Sequence, residues 1–213
     1  MINRNQKGFT IIELMIASSV FAIVLILISM GLIQVGRLFY KGISITNTQE
    51  VARIVTDDIS DAIRFSGQSV TTPIAVGTDG LSQGFCAGNK RYSYILDRQL
   101  VDASPGAGQS LHVLVVDEVN SCNGSTQAQS VTGSGALTTT SRELMGLRMR
   151  LAGLSLQPVI LPDRSDIYTL TIRIVFGDAD LLVSGNQNCR TDTAGSQFCS
   201  AAELSTTIQK RIE

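Results

Sequence analysis

Tryptophan is missing from this sequence, histidine occurs once, and the other aromatics amount to seven Phe and four Tyr in 213 residues. A lone histidine, His112, leaves little room for His-based acid–base or metal chemistry, and it sits in the apolar run His112-Val-Leu-Val-Val116, where a structural or edge position is expected. No Gly-x-Ser-x-Gly elbow and no His-Glu-x-x-His pair is present. Charged residues make up only 16% of the chain and balance to −1, which excludes nucleic-acid binding by bulk electrostatics and an acidic interaction tail alike. Proline is scarce, and none of the four occurs before Pro73. A long helix in the first third of the chain therefore meets no breaker.

What is present is one long apolar run. Residues 1–8 are polar, with Arg4 and Lys7; from Leu14 to Gly36 there are 23 uncharged residues, mostly Ile, Leu, Val, Met and Ala. As a helix they reach about 34 Å, enough to span a hydrocarbon core of about 30 Å. A secretory signal has a shorter apolar region followed by an Ala-x-Ala-like cleavage site, and none follows here. Basic residues flank the run on both sides, Arg4 and Lys7 against Arg37 and Lys41, so charge does not set its direction. All four cysteines (Cys86, Cys122, Cys189, Cys199) follow the run. That favours an oxidising location for the C-terminal portion, hence N-in, C-out.

The head of the run, Lys7-Gly8-Phe9-Thr10-Ile11-Ile12-Glu13-Leu14, resembles the prepilin processing site of type IV pilins and type II secretion pseudopilins. The resemblance implies cleavage between Gly8 and Phe9 by a prepilin peptidase, N-methylation of Phe9, and an assembly role for Glu13. Cleavage removes Arg4 and Lys7, so Lys plus Arg falls from 17 to 15 against 18 acidic residues. Read physically, an acid within a membrane helix costs about 2.5–3.5 kcal/mol at the bilayer centre and less near its end. The natural partner for Glu13 is the new ammonium of Phe9 on a neighbouring subunit.

Beyond the membrane, Val51, Ile54, Val55, Ile59, Ala62 and Ile63 recur at helical spacing, with Arg53, Asp57, Ser60, Asp61 and Arg64 on the other face. The helix is expected from about Phe9 to Ser66, near 85 Å, with an Arg53–Asp57 pair and Gly67 as its C-terminal cap. Strands are expected at residues 92–96, 111–116, 144–151 and 168–176, with a short last one near 204–211. Leu147, Met149 and Leu151 should face inward opposite Arg148 and Arg150; Leu170, Ile172 and Ile174 opposite Thr171 and Arg173. Residues 120–141 and 185–200 read as loops. The fold class is α+β: a long N-terminal helix, half membrane anchor and half exported, packed on a mainly antiparallel β domain. The segments are residues 1–8 (leader), 9–36 (membrane and filament-core helix), 37–66 (exported half) and 67–213 (disulfide-containing β domain). The 53–67 and 143–151 stretches, with the strands after them, resemble the layout of larger minor pilins of the PilW-like or J-pseudopilin type.

Four cysteines allow three pairings, and local closure favours Cys86–Cys122 with Cys189–Cys199. Their spacing suits no metal site, and no cofactor is expected. Asp163, Asp166, Asp178 and Asp180 lack an EF-hand pattern and read as turn residues. Gly133-Ser134-Gly135 reads as a loop, and Asn123-Gly124-Ser125 as a turn that also matches a glycosylation sequon. The chain is expected to be a structural subunit, not an enzyme. Its implied partners are other pilin subunits, the prepilin peptidase and the inner-membrane assembly platform. The alternatives are a filament-tip ligand-binding subunit (adhesin or DNA-uptake component) and a type II secretion pseudopilin.

Overall fold

Residues Ile11–Arg64 form one unbroken helix, α1, as a proline-free stretch rich in Leu, Ile, Met and Ala allows. The structure, a computed structural model, describes residues 8–67, 70–100, 112–132, 140–160, 166–183, 188–193 and 195–211. The chain divides into two compact units, one ending at Tyr40 and the other beginning at Lys41. In the first, the apolar side chains of α1 from Ile11 to Tyr40 are almost all exposed. In the second, the helix is packed on one side by Ser44, Thr48, Ala52, Val55, Thr56, Ile59, Ser60 and Ile63.

This buried stripe is rotated from the expected one. Ile54 is 50% exposed, and the small residues Ala52, Thr56 and Ser60 take the inner positions. Small side chains let α1 approach the sheets closely, which an isoleucine at these positions would prevent. The Arg53–Asp57 pair forms at 3.7 Å but is exposed, where such pairs contribute little. The helix ends without the expected glycine cap, since Gly67 does not enter the left-handed region. Its last carbonyls are met instead by the Ser66 hydroxyl, donating to Ile63 O at 2.9 Å, and by the Arg211 amide, donating to Arg64 O at 3.1 Å.

Two antiparallel sheets follow. The first has the order β1 (Gln83–Ala87), β2 (Lys90–Tyr94), β3 (Leu114–Glu118), β4 (Arg142–Glu143); the second is β5 (Met149–Pro158), β6 (Ile167–Phe176), β7 (Ser200–Gln209). One core joins them to the helix. Val55, Ile59 and Ile63 pack with Phe85 and Tyr92 of the first sheet and with Leu151, Leu170, Ile172, Ile174 and Ile208 of the second. Phe85 and Tyr92 stack at 4.8 Å, and the Tyr92 hydroxyl donates to Asp58 of α1 at 2.8 Å. Lys90 and Arg142 approach the same carboxylate, at 3.8 and 2.9 Å, so Asp58 ties the helix to two strands, β2 and β4. Burial, with the Asp58 charge behind it, pushes the Tyr92 phenol far above its usual range.

The strand expected over residues 144–151 is corrected. Residues 144–148 turn, with the Met149 amide donating to Gly146 O at 3.1 Å and Arg148 at a φ of 62°, and β5 starts only at Met149. Leu147 is exposed, not inward, and Arg150 is 3% exposed, not on a solvated face. The cause is a second small core. Leu181, Leu182 and Cys199 cover the outer face of β5 and β6 at Ala152 and Val175, the position beside Arg150, so both faces are dry there. By contrast, Leu170, Ile172 and Ile174 point inward as expected. β7 is ten residues long and starts at Ser200 rather than near Leu204. Within the two expected loops, the described residues 120–132 form neither helix nor strand, and 188–193 and 195–199 contain one short 3-10 turn at Ser196–Phe198.

β1 lies outside the expected strands, and its sequence, Gln-Gly-Phe-Cys-Ala, shows no alternation. It is buried along nearly its whole length. Gly84 is required there: a Cβ would stand 2.5 Å from the Tyr92 carbonyl oxygen of the paired strand. The turn leading into β1 is braced by Asp79, whose carboxylate accepts the Leu81 and Ser82 amides (3.0 and 2.8 Å) and the Ser82 and Thr132 hydroxyls (2.5 and 2.6 Å). Burial alone would raise its pKa, but these four donors outweigh it and hold the carboxyl well below its usual 3.8. The stabilisation is therefore present above pH 3.8 and is lost as pH falls below it. Asp79→Asn is expected to lower stability by about 1–2 kcal/mol at pH 7. Urea unfolding in detergent checks this, with the gap between variant and wild type narrowing below pH 3.8.

Candidate functional site: the N-terminal junction

Gly8, Phe9 and Thr10 precede the first helical residue, and the Leu14 amide closes the first turn onto Thr10 O at 3.2 Å. Thr10 and Glu13 form a reciprocal cap. The Glu13 amide donates to Thr10 Oγ1 at 3.3 Å, while Glu13 Oε2 lies 3.3 Å from that hydroxyl and 3.5 Å from the Thr10 amide. This is a capping-box arrangement with long contacts, and it holds a carboxylate at the positive end of the helix dipole. Sequence reasoning singled out Glu13 and passed over Thr10, although the Thr-x-x-Glu spacing signals the cap. Glu13 and Phe9 are both exposed, so the local cap leaves them open to a neighbour.

The stretch after Glu13 is long and apolar enough to cross a membrane, and none of it is buried within the protein. Its hydroxyls are satisfied internally: Ser18 donates to Met15 O (3.0 Å), Ser19 to Ile16 O (2.8 Å) and Ser29 to Leu25 O (2.8 Å). Such back-bonding suits a helix in lipid, which offers no hydrogen-bond partners. Phe39 and Tyr40, edge to face at 6.4 Å, lie between Arg37 and Lys41, the pairing of aromatic and basic residues found at membrane interfaces.

Elsewhere the structure pairs Cys86 with Cys122 and Cys189 with Cys199, with Cα separations of 5.8 and 5.7 Å, and leaves no cysteine free. Cys86 lies in β1. His112 Nδ1 stands 3.3 Å from Glu143 Oε2, a contact that becomes an ion pair when the ring is protonated. Glu143 itself accepts the Val113, Leu114 and Met145 amides at 3.0–3.1 Å and so clips the start of β3. Asp178 is taken up by Gln99 and Arg148, whose hydrogen bonds hold its pKa below the usual carboxylate value. Asp166 accepts from Gln209 at 3.3 Å, and Asp180 is exposed. Asn123 Oδ1 accepts the Ser125 amide at 3.0 Å in a tight turn. Asp163 and Gly133-Ser134-Gly135 lie outside the described residues. Among the described residues no group of three or more His, Cys, Asp or Glu is placed to hold a metal.

A single long N-terminal helix packed on antiparallel sheets defines an α+β architecture of the type IV pilin-like kind. Residues 3–29 match the family model described as the prokaryotic N-terminal methylation motif, which spans Gly8, Phe9 and Glu13 and marks the N-terminus as type IV prepilin-like. Comparison of the chain with curated proteins and with solved structures gave no significant match.

Proposed function

We propose that this chain is a minor pilin or pseudopilin, a structural subunit that joins or primes a type IV pilus-like filament. The observation that carries the reading is the Gly8-Phe9 junction, inside the matched motif and immediately ahead of an apolar helix that none of the described residues covers. Residues 1–8 are the leader removed by a prepilin peptidase, and Phe9 becomes the methylated N-terminus. Residues 9–36 are the membrane and filament-core helix, 37–66 its exported half and 67–213 the globular domain. Before assembly the chain stands N-in, C-out in the inner membrane, beside the assembly platform; afterwards it is part of a periplasmic or extracellular filament. Glu13 then exchanges its long contacts with Thr10 for the ammonium of Phe9 on a neighbouring subunit. The proline-free α1 and the large, loop-rich domain favour a minor position over the main shaft.

Intact-mass analysis of the protein from its native host is the first test. A species beginning at methylated Phe9 is expected; a full-length, unprocessed chain would remove the basis of the reading. In processed protein, Glu13→Gln is expected to leave cleavage intact and to reduce the amount recovered in sheared filaments. Undiminished incorporation would exclude the pairing while leaving the processing conclusion in place. The second reading is a ligand-binding subunit at the filament tip, for which the two disulfide-closed segments, around Cys122 and from Cys189 to Cys199, would supply rigid contact surfaces. Deletion separates the two: unchanged filament number with lost surface attachment or DNA capture favours the tip role.

A further inference from the structure

Seven consecutive residues of α1, Gly42-Ile-Ser-Ile-Thr-Asn-Thr48, are poor helix formers. Glycine gains too much freedom outside a helix, Ile and Thr lose side-chain freedom inside one, and Ser and Asn offer their own backbone competing hydrogen bonds. Burial compensates little. From Lys41 to Val51 the only buried side chains are Ser44 and Thr48, whereas Ala52, Val55, Ile59 and Ile63 further along are fully enclosed by apolar neighbours. The Ser44 hydroxyl is buried without a partner, so opening this turn to water would satisfy a group that the closed helix leaves unpaired. By sequence and by packing, this is the part of the domain's helix least able to hold itself.

What holds it comes from the far end of the chain. Ser200, the first residue of β7, donates to the Ser44 carbonyl at 2.9 Å. Its oxygen is also 2.5 Å from Thr48 Oγ1, which itself lies 2.8 Å from the Ser44 carbonyl. Three oxygens share two hydroxyl hydrogens here, so the Ser200 and Thr48 hydroxyls act on the Ser44 carbonyl as one group. All three residues are buried, where an unmade hydrogen bond is not replaced by one to water. Ser200 is in turn fixed from two sides, by pairing with Phe176 of β6 and by its neighbour Cys199, bonded to Cys189.

We propose that Ser200 is a clasp and residues 42–48 an opening point built into α1. The turn stays helical while β7 grips it, and when the grip is released it opens without disturbing the apolar turns from Ala52 onward. The inference concerns the single chain and does not depend on the filament reading.

Hydrogen exchange on the full chain in detergent micelles, read by mass spectrometry, tests it. In Ser200→Ala the amides of residues 45–52 are expected to exchange about tenfold faster, with those of residues 55–63 unchanged. Thr48→Val should do the same. Adding Thr46→Ala and Asn47→Ala, two exposed positions where alanine strengthens the helix itself, should restore protection in the Ser200→Ala background. Unchanged exchange at residues 45–52 would overturn the clasp. So would acceleration running evenly through residue 63, because the loss would then be global. Failure of the alanine pair to restore protection would overturn the opening point.

Discussion

Asp117→Ala is expected to lower the unfolding free energy by about 3–5 kcal/mol, a large share of the about 5–15 kcal/mol that holds an ordinary domain. Asp117 on β3 is 3% exposed and stands opposite Arg91 of β2 in the strand register. Arg91 Nε donates to Asp117 Oδ1 at 2.9 Å, Nη2 donates to Oδ2, and Nη1 reaches the Gln127 carbonyl at 2.7 Å. The pair thus fastens the middle of the first sheet to the segment that carries Cys122. Removing only the carboxylate strands a guanidinium in a site with little water. The damage comes from that unpaired charge and not from the lost attraction, because a buried ion pair repays its own desolvation only narrowly. Replacing both partners, as Arg91→Met with Asp117→Leu, is therefore expected to recover most of the loss, less the bond to Gln127. Denaturant midpoints for the two single variants and the double variant check this, and a double variant as unstable as Asp117→Ala would contradict it.

The two disulfides are expected to differ in worth. Cys86–Cys122 closes a sequence separation of 36 residues and Cys189–Cys199 one of 10. Constraint of the unfolded chain grows with the loop enclosed, giving about 4 kcal/mol for the first and about 3 kcal/mol for the second. Native packing widens the gap. Cys86 is fully buried beside Ile74 and Ala128, so its replacement also disturbs a small core. Paired Cys→Ala variants compared by thermal unfolding under non-reducing conditions should rank the Cys86/Cys122 variant below the Cys189/Cys199 variant. The reverse order would mean that native-state contacts of the second loop outweigh chain entropy.

The parts of the molecule legible in the sequence are those where one physical constraint acts alone. A membrane helix must be apolar throughout, so Leu14 to Gly36 declared itself. β6 has one face on the core and one toward solvent, so Leu170, Ile172 and Ile174 declared themselves by alternation. Legibility failed where two constraints overlap. Arg150 alternates correctly with Met149 and Leu151, yet it is buried because residues about thirty to fifty positions later fold over its face, and no local pattern carries that information. β1 lacks alternation for the same reason: both of its faces are covered. In the helix, Ile54 looked like core and Thr56 did not, since hydrophobicity was visible and the need for close approach was not. At the N-terminal junction the sequence signalled the processing motif strongly enough that the Thr10–Glu13 cap, equally written in the spacing, went unread.

The strand that completes the second sheet follows the other six in chain order and is synthesised after them. β7 reaches back to α1 at both ends, through Ser200 to Ser44 and, just beyond the strand, through the Arg211 amide to the Arg64 carbonyl. The first of these contacts joins residues 156 positions apart. Contacts of such long range form late, because the intervening chain must surrender its freedom before they return anything. The helix face of Ala52, Val55, Ile59 and Ile63 is thus made early, and its cover is complete only when Ala202 and Ile208 of β7 join the core. During biogenesis the nascent domain carries an incompletely covered apolar stripe until β7 emerges, and over that interval it is a natural client for a chaperone.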